Sequence, residues 1–218
     1  MAEGRFIVIE GLDGAGSTTQ AGILKNWFAK RDLPVRLTWE PTDGPVGSLL
    51  RLILTGRVVN LSREGEAPPP GEAVLALLFA ADRLDHLDNR VLPGLEKGIN
   101  VISDRYYLSS LAYQTLDCSL NLEWVRQVNA RCRRPDLTIY LDVAPTECQR
   151  RMLAQGRHLE IYEEVSKLER IRDNYLRVIR LLLEEGEDIK VLDGGLEAEA
   201  VAASVAQAVE SLLERPAG

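Results

Sequence analysis

Lysine is scarce in this chain. Five of its 26 basic residues are lysines, and the rest are arginines. Any anion it holds is therefore gripped mainly by planar guanidinium forks rather than point charges. Cysteine is scarcer still. Cys118, Cys132 and Cys148 stand far apart with no CxxC spacing, which speaks against a disulfide framework and predicts reduced thiols in a cytoplasm-like compartment. Two histidines, His86 and His158, are too few for a histidine-built metal site. The longest apolar run, Ala73 to Ala81, falls well short of the ~20 residues that span a bilayer. No basic n-region followed by an apolar h-region precedes the first apolar segment. Positive charge is also in deficit: a formal net charge of −7 and a pI near 5.1 argue against a surface that coats nucleic acid. They leave small anionic ligands open, because these meet local rather than net charge. The expectation is a soluble cytoplasmic protein with neither membrane nor nucleic acid as partner. At 218 residues, 45% hydrophobic and 27% charged, it has material for one domain with an ample core.

What is present begins at Gly11-Leu12-Asp13-Gly14-Ala15-Gly16-Ser17-Thr18. The stretch fits the phosphate-loop pattern G-x-x-x-x-G-K-[ST] at every fixed position except Ser17, which replaces the lysine. Before it, Phe6-Ile7-Val8-Ile9-Glu10 reads as a buried parallel strand. After it, Ile23, Leu24, Trp27 and Phe28 recur at helical spacing. Strand, glycine-rich turn and helix are the context in which backbone N–H groups converge on phosphate. Four more apolar strands are predicted at Val35–Glu40, Ile99–Ser103, Leu137–Val143 and Ile189–Leu192. Helical periodicity covers Val46–Leu54, Glu72–Arg90, Leu122–Arg131, Pro145–Ala154, Glu163–Glu185 and Glu197–Leu213, and 64–71 reads as a Pro-rich loop. Alternating strands and helices predict an α/β fold: a five-stranded parallel sheet covered on both faces, with ligands beyond the carboxyl ends of the strands.

A second constellation follows the third strand: Ser103-Asp104-Arg105-Tyr106, then Ser109-Ser110-Leu111-Ala112-Tyr113-Gln114. At a strand end opposite a phosphate loop, Asp104 can join a Mg²⁺ shell or orient an attacking oxygen, and Arg105 can clamp an acceptor phosphate. In Leu78-Phe79-Ala80-Ala81-Asp82-Arg83, Phe79 and Arg83 lie four apart and share a helix face. An aromatic that stacks on a base and an arginine that bonds its edge would sit together there. Taken alone, Phe79 at helical spacing reads as core.

Together these pieces resemble the thymidylate kinases. The matching segments are FIVIEGLDGAGSTTQ at 6–20, Glu40-Pro41, LLFAADR at 77–83, SDRYYLSSLAYQ at 103–114 and RPDLTIYLDV at 134–143. The resemblance implies a three-layer P-loop NTPase fold: one domain over 1–218 with a lid at about 150–163, usually paired as a homodimer. It implies transfer of the γ-phosphoryl of Mg²⁺–ATP to dTMP. Gly11, Leu12, Asp13, Gly14, Ala15, Gly16, Ser17, Thr18 and Thr19 would then cradle ATP, with Arg151 packing on adenine. Thr18 and Asp104 would hold Mg²⁺. Asp13 would contact the acceptor's sugar and phosphate region, Phe79 would stack on thymine and Arg83 would bond a thymine carbonyl. Arg105, helped by Arg51, would clamp the acceptor phosphate, and Glu40 would belong to the substrate-binding set. Ser110 and Gln114 would read the base edge, and Tyr113 would crowd the 2′ position. Asp104, Arg105, Thr18 and Arg157 are the expected catalytic set.

The chain departs from that family at three positions where a cation is usual. Ser17 replaces the loop lysine, Trp39 stands before Glu40-Pro41, and Ile161 falls at the lid arginine's place. Gly14 cannot supply the in-loop arginine of some relatives. Removing one such donor typically costs ~10²–10³ in rate, and several losses need not add. Arg150 and Arg157 are candidate substitutes. Three readings stay open at this point: a dTMP kinase with a rewired cation set, a nucleotide-binding homologue with little activity, or a kinase for a related substrate.

Overall fold

In the computed structural model, β1 (Phe6–Gly11), β2 (Val35–Trp39), β3 (Asn100–Asp104), β4 (Leu137–Asp142) and β5 (Ile189–Asp193) form one parallel sheet in the order β2-β3-β1-β4-β5. The structure describes residues 3–57, 71–116, 120–154 and 161–215, with backbone alone over 161–164. The Pro-rich loop over 64–70, most of the expected lid, Arg157, His158 and Cys118 lie outside these residues, as does the side chain of Ile161.

Burial explains the strand order. Every residue of β1 is buried, as befits a central strand covered on both faces. The edge strands β2 and β5 carry polar side chains, among them Arg36 and Lys190, and are only partly covered. Nine helices are described: α1 (Ser17–Ala29), α2 (Pro45–Leu54), α3 (Glu72–His86), α4 (Leu92–Leu95), α5 (Tyr107–Gln114), α6 (Leu122–Val128), α7 (Pro145–Ala154), α8 (Ile161–Glu184) and α9 (Ala198–Leu213). The first crossover, through α1, steps over β3 to reach β2, and every later crossover moves the opposite way along the sheet. Because such crossovers are right-handed, α1 lies on one face and α2–α8 on the other. α9 returns to pack on α1, and α5 packs on α8. The reversal leaves a crevice at the carboxyl ends of β1 and β3, where α/β sheets bind ligands. Register places Asp104 level with both Ile9 and Trp39 there.

Two elements differ from the periodicity. The single helix expected over 72–90 ends at His86, and one π turn (Leu87–Val91) leads into α4. The Leu92 N–H bonds the Leu87 carbonyl five residues back, just ahead of Pro93, which has no N–H to continue an α pattern. α5 escapes the periodicity altogether. It is short, and six of its eight residues are buried, so no polar face betrays it.

Candidate functional site

The loop between β1 and α1 takes its shape from glycine. Gly14 and Gly16 have φ of +84° and +96°, conformations that L side chains rarely adopt. A Cβ on Gly14 would also fall 2.5 Å from the Cys148 carbonyl oxygen. The N-terminus of α1 has no side-chain cap and no acidic residue in its first turn. Its leading N–H groups and positive dipole end therefore suit an anion. They open on a cleft of about 1510 Å³ lined by the loop, by Trp39, Glu40 and Arg51, by Asp104 and Arg105, and by Arg150, Arg151 and Gly194–Ala198.

Asp104 and Thr18 meet on its floor. Thr18 Oγ1 donates to Asp104 Oδ2 at 2.5 Å. The other carboxylate oxygen, Oδ1, is buried with no hydrogen-bond partner. A buried unpartnered oxygen is costly unless something fills its lone pairs. Hard oxygen donors of this kind suit Mg²⁺, which uses one or two protein oxygens and completes its shell with water and phosphate. Among the described residues no group of three or more His, Cys, Asp or Glu side chains could hold a metal ion.

Arg105 follows directly. Its guanidinium is one-fifth exposed and pairs with Asp13, NH2 to Oδ1 at 2.8 Å. It also lies against the Tyr113 ring, at 5.6 Å, and the Tyr113 hydroxyl reaches Asp13 at 3.4 Å. Arg105 has φ +70°, a left-handed conformation uncommon outside glycine and worth a structural reason.

That reason introduces residues that sequence reasoning missed. Arg105 N–H donates to the Ile9 carbonyl at 2.9 Å, and Ser103 Oγ donates to the Arg105 carbonyl at 2.8 Å. Glu10, fully buried in β1, accepts the N–H groups of Tyr106 (2.8 Å) and Ser109 (3.2 Å) through Oε1. Through Oε2 it accepts Ser109 Oγ (2.6 Å) and the Tyr175 hydroxyl (3.3 Å). Burial pushes the Glu10 carboxyl up to about 7, against the lowering pull of Arg105 and these hydrogen bonds. The available signal was an ionisable residue inside an apolar strand, which is rarely fully buried unless paired.

A second polar cluster lies behind the cleft. Arg83, 1% exposed, donates from Nε to Glu40 Oε2 at 2.9 Å, from NH2 to Ser110 Oγ at 3.0 Å and from NH1 to Asn129 Oδ1 at 2.5 Å. His86 bridges Glu40 Oε1 (3.0 Å) and Thr38 Oγ1 (2.7 Å). Nearby, Asp82 accepts the Thr42 N–H and hydroxyl at 2.8 and 2.6 Å. Arg51 donates to the Pro41 carbonyl at 2.9 Å and to the Thr42 carbonyl.

The nominated acceptor residues thus fall into two groups. Asp13, Glu40, Arg51 and Arg105 border the large cleft, whereas Phe79, Arg83, Ser110, Tyr113 and Gln114 do not line it. Ser110 and Gln114 are buried one turn apart on α5, and Phe79 is half-buried on α3. On the other wall, Arg151 donates to the Ala15 and Gly194 carbonyls, each at 3.2 Å, and to Glu147 at 2.7 Å. It ties the loop to the turn before α9. Arg150 also bonds Glu147 and is otherwise exposed.

A parallel sheet that reverses its winding at a glycine loop, with an uncapped helix behind the loop, belongs to the P-loop nucleotide-binding class. Comparison with known proteins narrows the class. The thymidylate kinase family model matches residues 9–205, and the chain belongs to that family. It is 44% identical over 185 residues to a probable thymidylate kinase of Pyrococcus abyssi, covering 83% of this chain and 85% of that one. A probable thymidylate kinase of Thermococcus kodakarensis is 40% identical over 210 residues, covering 95% and 98%. One of Pyrobaculum calidifontis is 39% identical over 205 residues, covering 94% and 95%.

Proposed function

We propose that this chain is a dTMP kinase that transfers the γ-phosphoryl of Mg²⁺–ATP to dTMP and releases dTDP and ADP. The observation that carries the reading is the convergence, at one strand end, of the α1 N-terminus, the Thr18–Asp104 oxygens and Arg105. Family membership supplies the substrate.

An oxygen of the dTMP phosphate attacks the γ-phosphorus, that P–O bond forms, and the bond to the β-phosphate oxygen breaks. Such transfer needs little covalent chemistry from the protein and depends on positioning and charge stabilisation. The loop N–H groups and the α1 dipole hold the donor's phosphates. Thr18 and Asp104 would hold Mg²⁺, which neutralises charge developing on the transferring group. Arg105 clamps the acceptor phosphate, with Asp13 setting the guanidinium's direction before substrate arrives. Arg51 lies on the same wall of the cleft. The Glu40–Arg83–Ser110 cluster backs the base end, with Phe79, Tyr113 and Gln114 as its further recognition residues. Arg151 supports the loop beside the adenosine. Arg157 is assigned to the lid, outside the described residues.

Ser17 and Trp39 leave the cleft short of two family cations, which sets the rate expected rather than the reaction. α2 exposes Leu49, Leu52 and Leu54, and α3 exposes Val74 and Leu77. This apolar surface supports pairing with a second copy. Among the described residues no helix is long and apolar enough to cross a membrane. Calorimetry tests the assignment: dTMP and Mg²⁺–ATP should each bind, and no dTMP binding up to millimolar concentration would sink it.

A further inference from the structure

We propose that Glu10 is a positioning residue for Arg105: together with Ser109 it holds the guanidinium, through both its backbone and its side chain, in the direction that meets the acceptor phosphate. The inference rests on the dTMP kinase reading for what Arg105 binds, but not for how Arg105 is held.

Glu10 leads to Arg105 by two routes. The first is backbone. Arg105 sits at φ +70°, a conformation that persists only where the surroundings over-determine it. The flanking groups are all engaged: its own N–H by Ile9, its carbonyl by Ser103 and the next N–H, that of Tyr106, by Glu10. Glu10 also takes the Ser109 N–H, one of the leading N–H groups of α5 that no intrahelical carbonyl serves. A carboxylate in β1 thus caps the start of α5 from outside the helix and fixes the turn that carries Arg105.

The second route is side chain. Arg105 NH1 donates to Ser109 Oγ at 3.1 Å, and Ser109 Oγ donates on to Glu10 Oε2 at 2.6 Å. Tyr175, from α8, bonds Ser109 at 2.9 Å and closes the chain against that helix. One guanidinium nitrogen is thereby tied back to Glu10 and the other to Asp13. Among the described residues, the ionisable groups that face Glu10 or its relay include Arg105 and Tyr175, with Asp13 and Tyr113 through Arg105 and Tyr140 packed on the Tyr175 ring. Glu10 is too deeply buried to meet substrate, so it acts through Arg105.

The experiment compares the full chain with Glu10→Leu, Glu10→Gln and Ser109→Ala. The first arm measures kcat and the separate KM values for dTMP and ATP. Glu10→Leu should raise the dTMP KM about tenfold or more while leaving the ATP KM within about twofold, as expected when one preorganised clamp is loosened. Glu10→Gln, which can still accept both N–H groups, should restore most of the loss. Ser109→Ala, which cuts the side-chain route alone, should raise the dTMP KM by a smaller factor. The second arm, hydrogen exchange on the ligand-free proteins, needs no turnover. Glu10→Leu should lose protection at Tyr106 and Ser109 while β1 and β4 keep theirs. Equal changes in both KM values, or unchanged exchange at Tyr106 and Ser109, would overturn the proposal. A wild-type chain that does not turn over dTMP would instead refute the kinase reading, and the exchange arm would still decide the role of Glu10. If Glu10→Leu does not fold, Ser109→Ala decides: no selective change in the dTMP KM overturns the proposal.

Discussion

Arg83 and Arg105 are both arginines beside the same crevice, yet they are built into opposite environments. Arg83 is sealed at 1% exposure among Glu40, Asn129 and Ser110. Arg105 faces the cleft, with one nitrogen on Asp13 and the other tethered to Ser109. The first is a completed network, which gains from low dielectric only while every member is satisfied. The second is a guanidinium held from two sides at the edge of the cleft, with its strained backbone and its support close by. We therefore propose that the region around 38–42, 83–86 and 129 holds the shape of the base end, and that the region around 10–18 and 104–109 carries the chemistry.

Substitutions should separate the two regions. Arg83→Leu leaves the Glu40 carboxylate buried with His86 but without its guanidinium, and breaking such a buried pair costs about 3–5 kcal/mol. Denaturant melts should show that loss, and a loss under about 1 kcal/mol would erase the distinction. Arg105→Ala should do the reverse: stability within about 1 kcal/mol, but kcat/KM for dTMP down by about 10²–10³. A large fall in stability with modest kinetic change would exchange the roles assigned to the two arginines.

The next effect is one of pH. Glu10 has an ordinary carboxyl value of 4.5 and is pushed up to about 7 in the folded chain. Between those values the native state keeps a proton that the unfolded state has released. Its contribution is intact below pH 4.5 and is lost as pH rises toward 7, by at most about 3 kcal/mol. Glu10→Gln cannot ionise, so its stability relative to wild type should climb across that window and then level off. A flat difference between the two would contradict the buried, raised carboxyl.

The smallest expected effect concerns the loop. Ser17→Lys should raise kcat about tenfold, a partial return of one charge-stabilising donor. No gain would mean that another cation already serves the donor phosphates, with Arg151, bound to the Ala15 carbonyl, the first to test by substitution in both backgrounds.

Much of this was legible in the chain itself. The five strands lie where apolar runs of β-branched residues put them, and the glycine loop announces the ligand end of the sheet. The π turn before Pro93 and the short helix α5 were not legible, because one is a local slip in register and the other is buried nearly all round. The partners of the nominated site residues were not legible. Arg83 and Ser110 were both nominated, yet the bonds of Arg83 to Ser110, Glu40 and Asn129 join positions far apart in sequence. Glu10 looked like part of a strand, and only the packing of β1 against the start of α5 and against α8 gives its carboxyl group four donors.

The central claim is tested most directly by steady-state ADP formation by the unaltered chain, with Mg²⁺–ATP and a panel of nucleoside monophosphates. dTMP should drive turnover ahead of every other acceptor. Turnover equal to the rate without acceptor, or a clear preference for another monophosphate, would contradict the account.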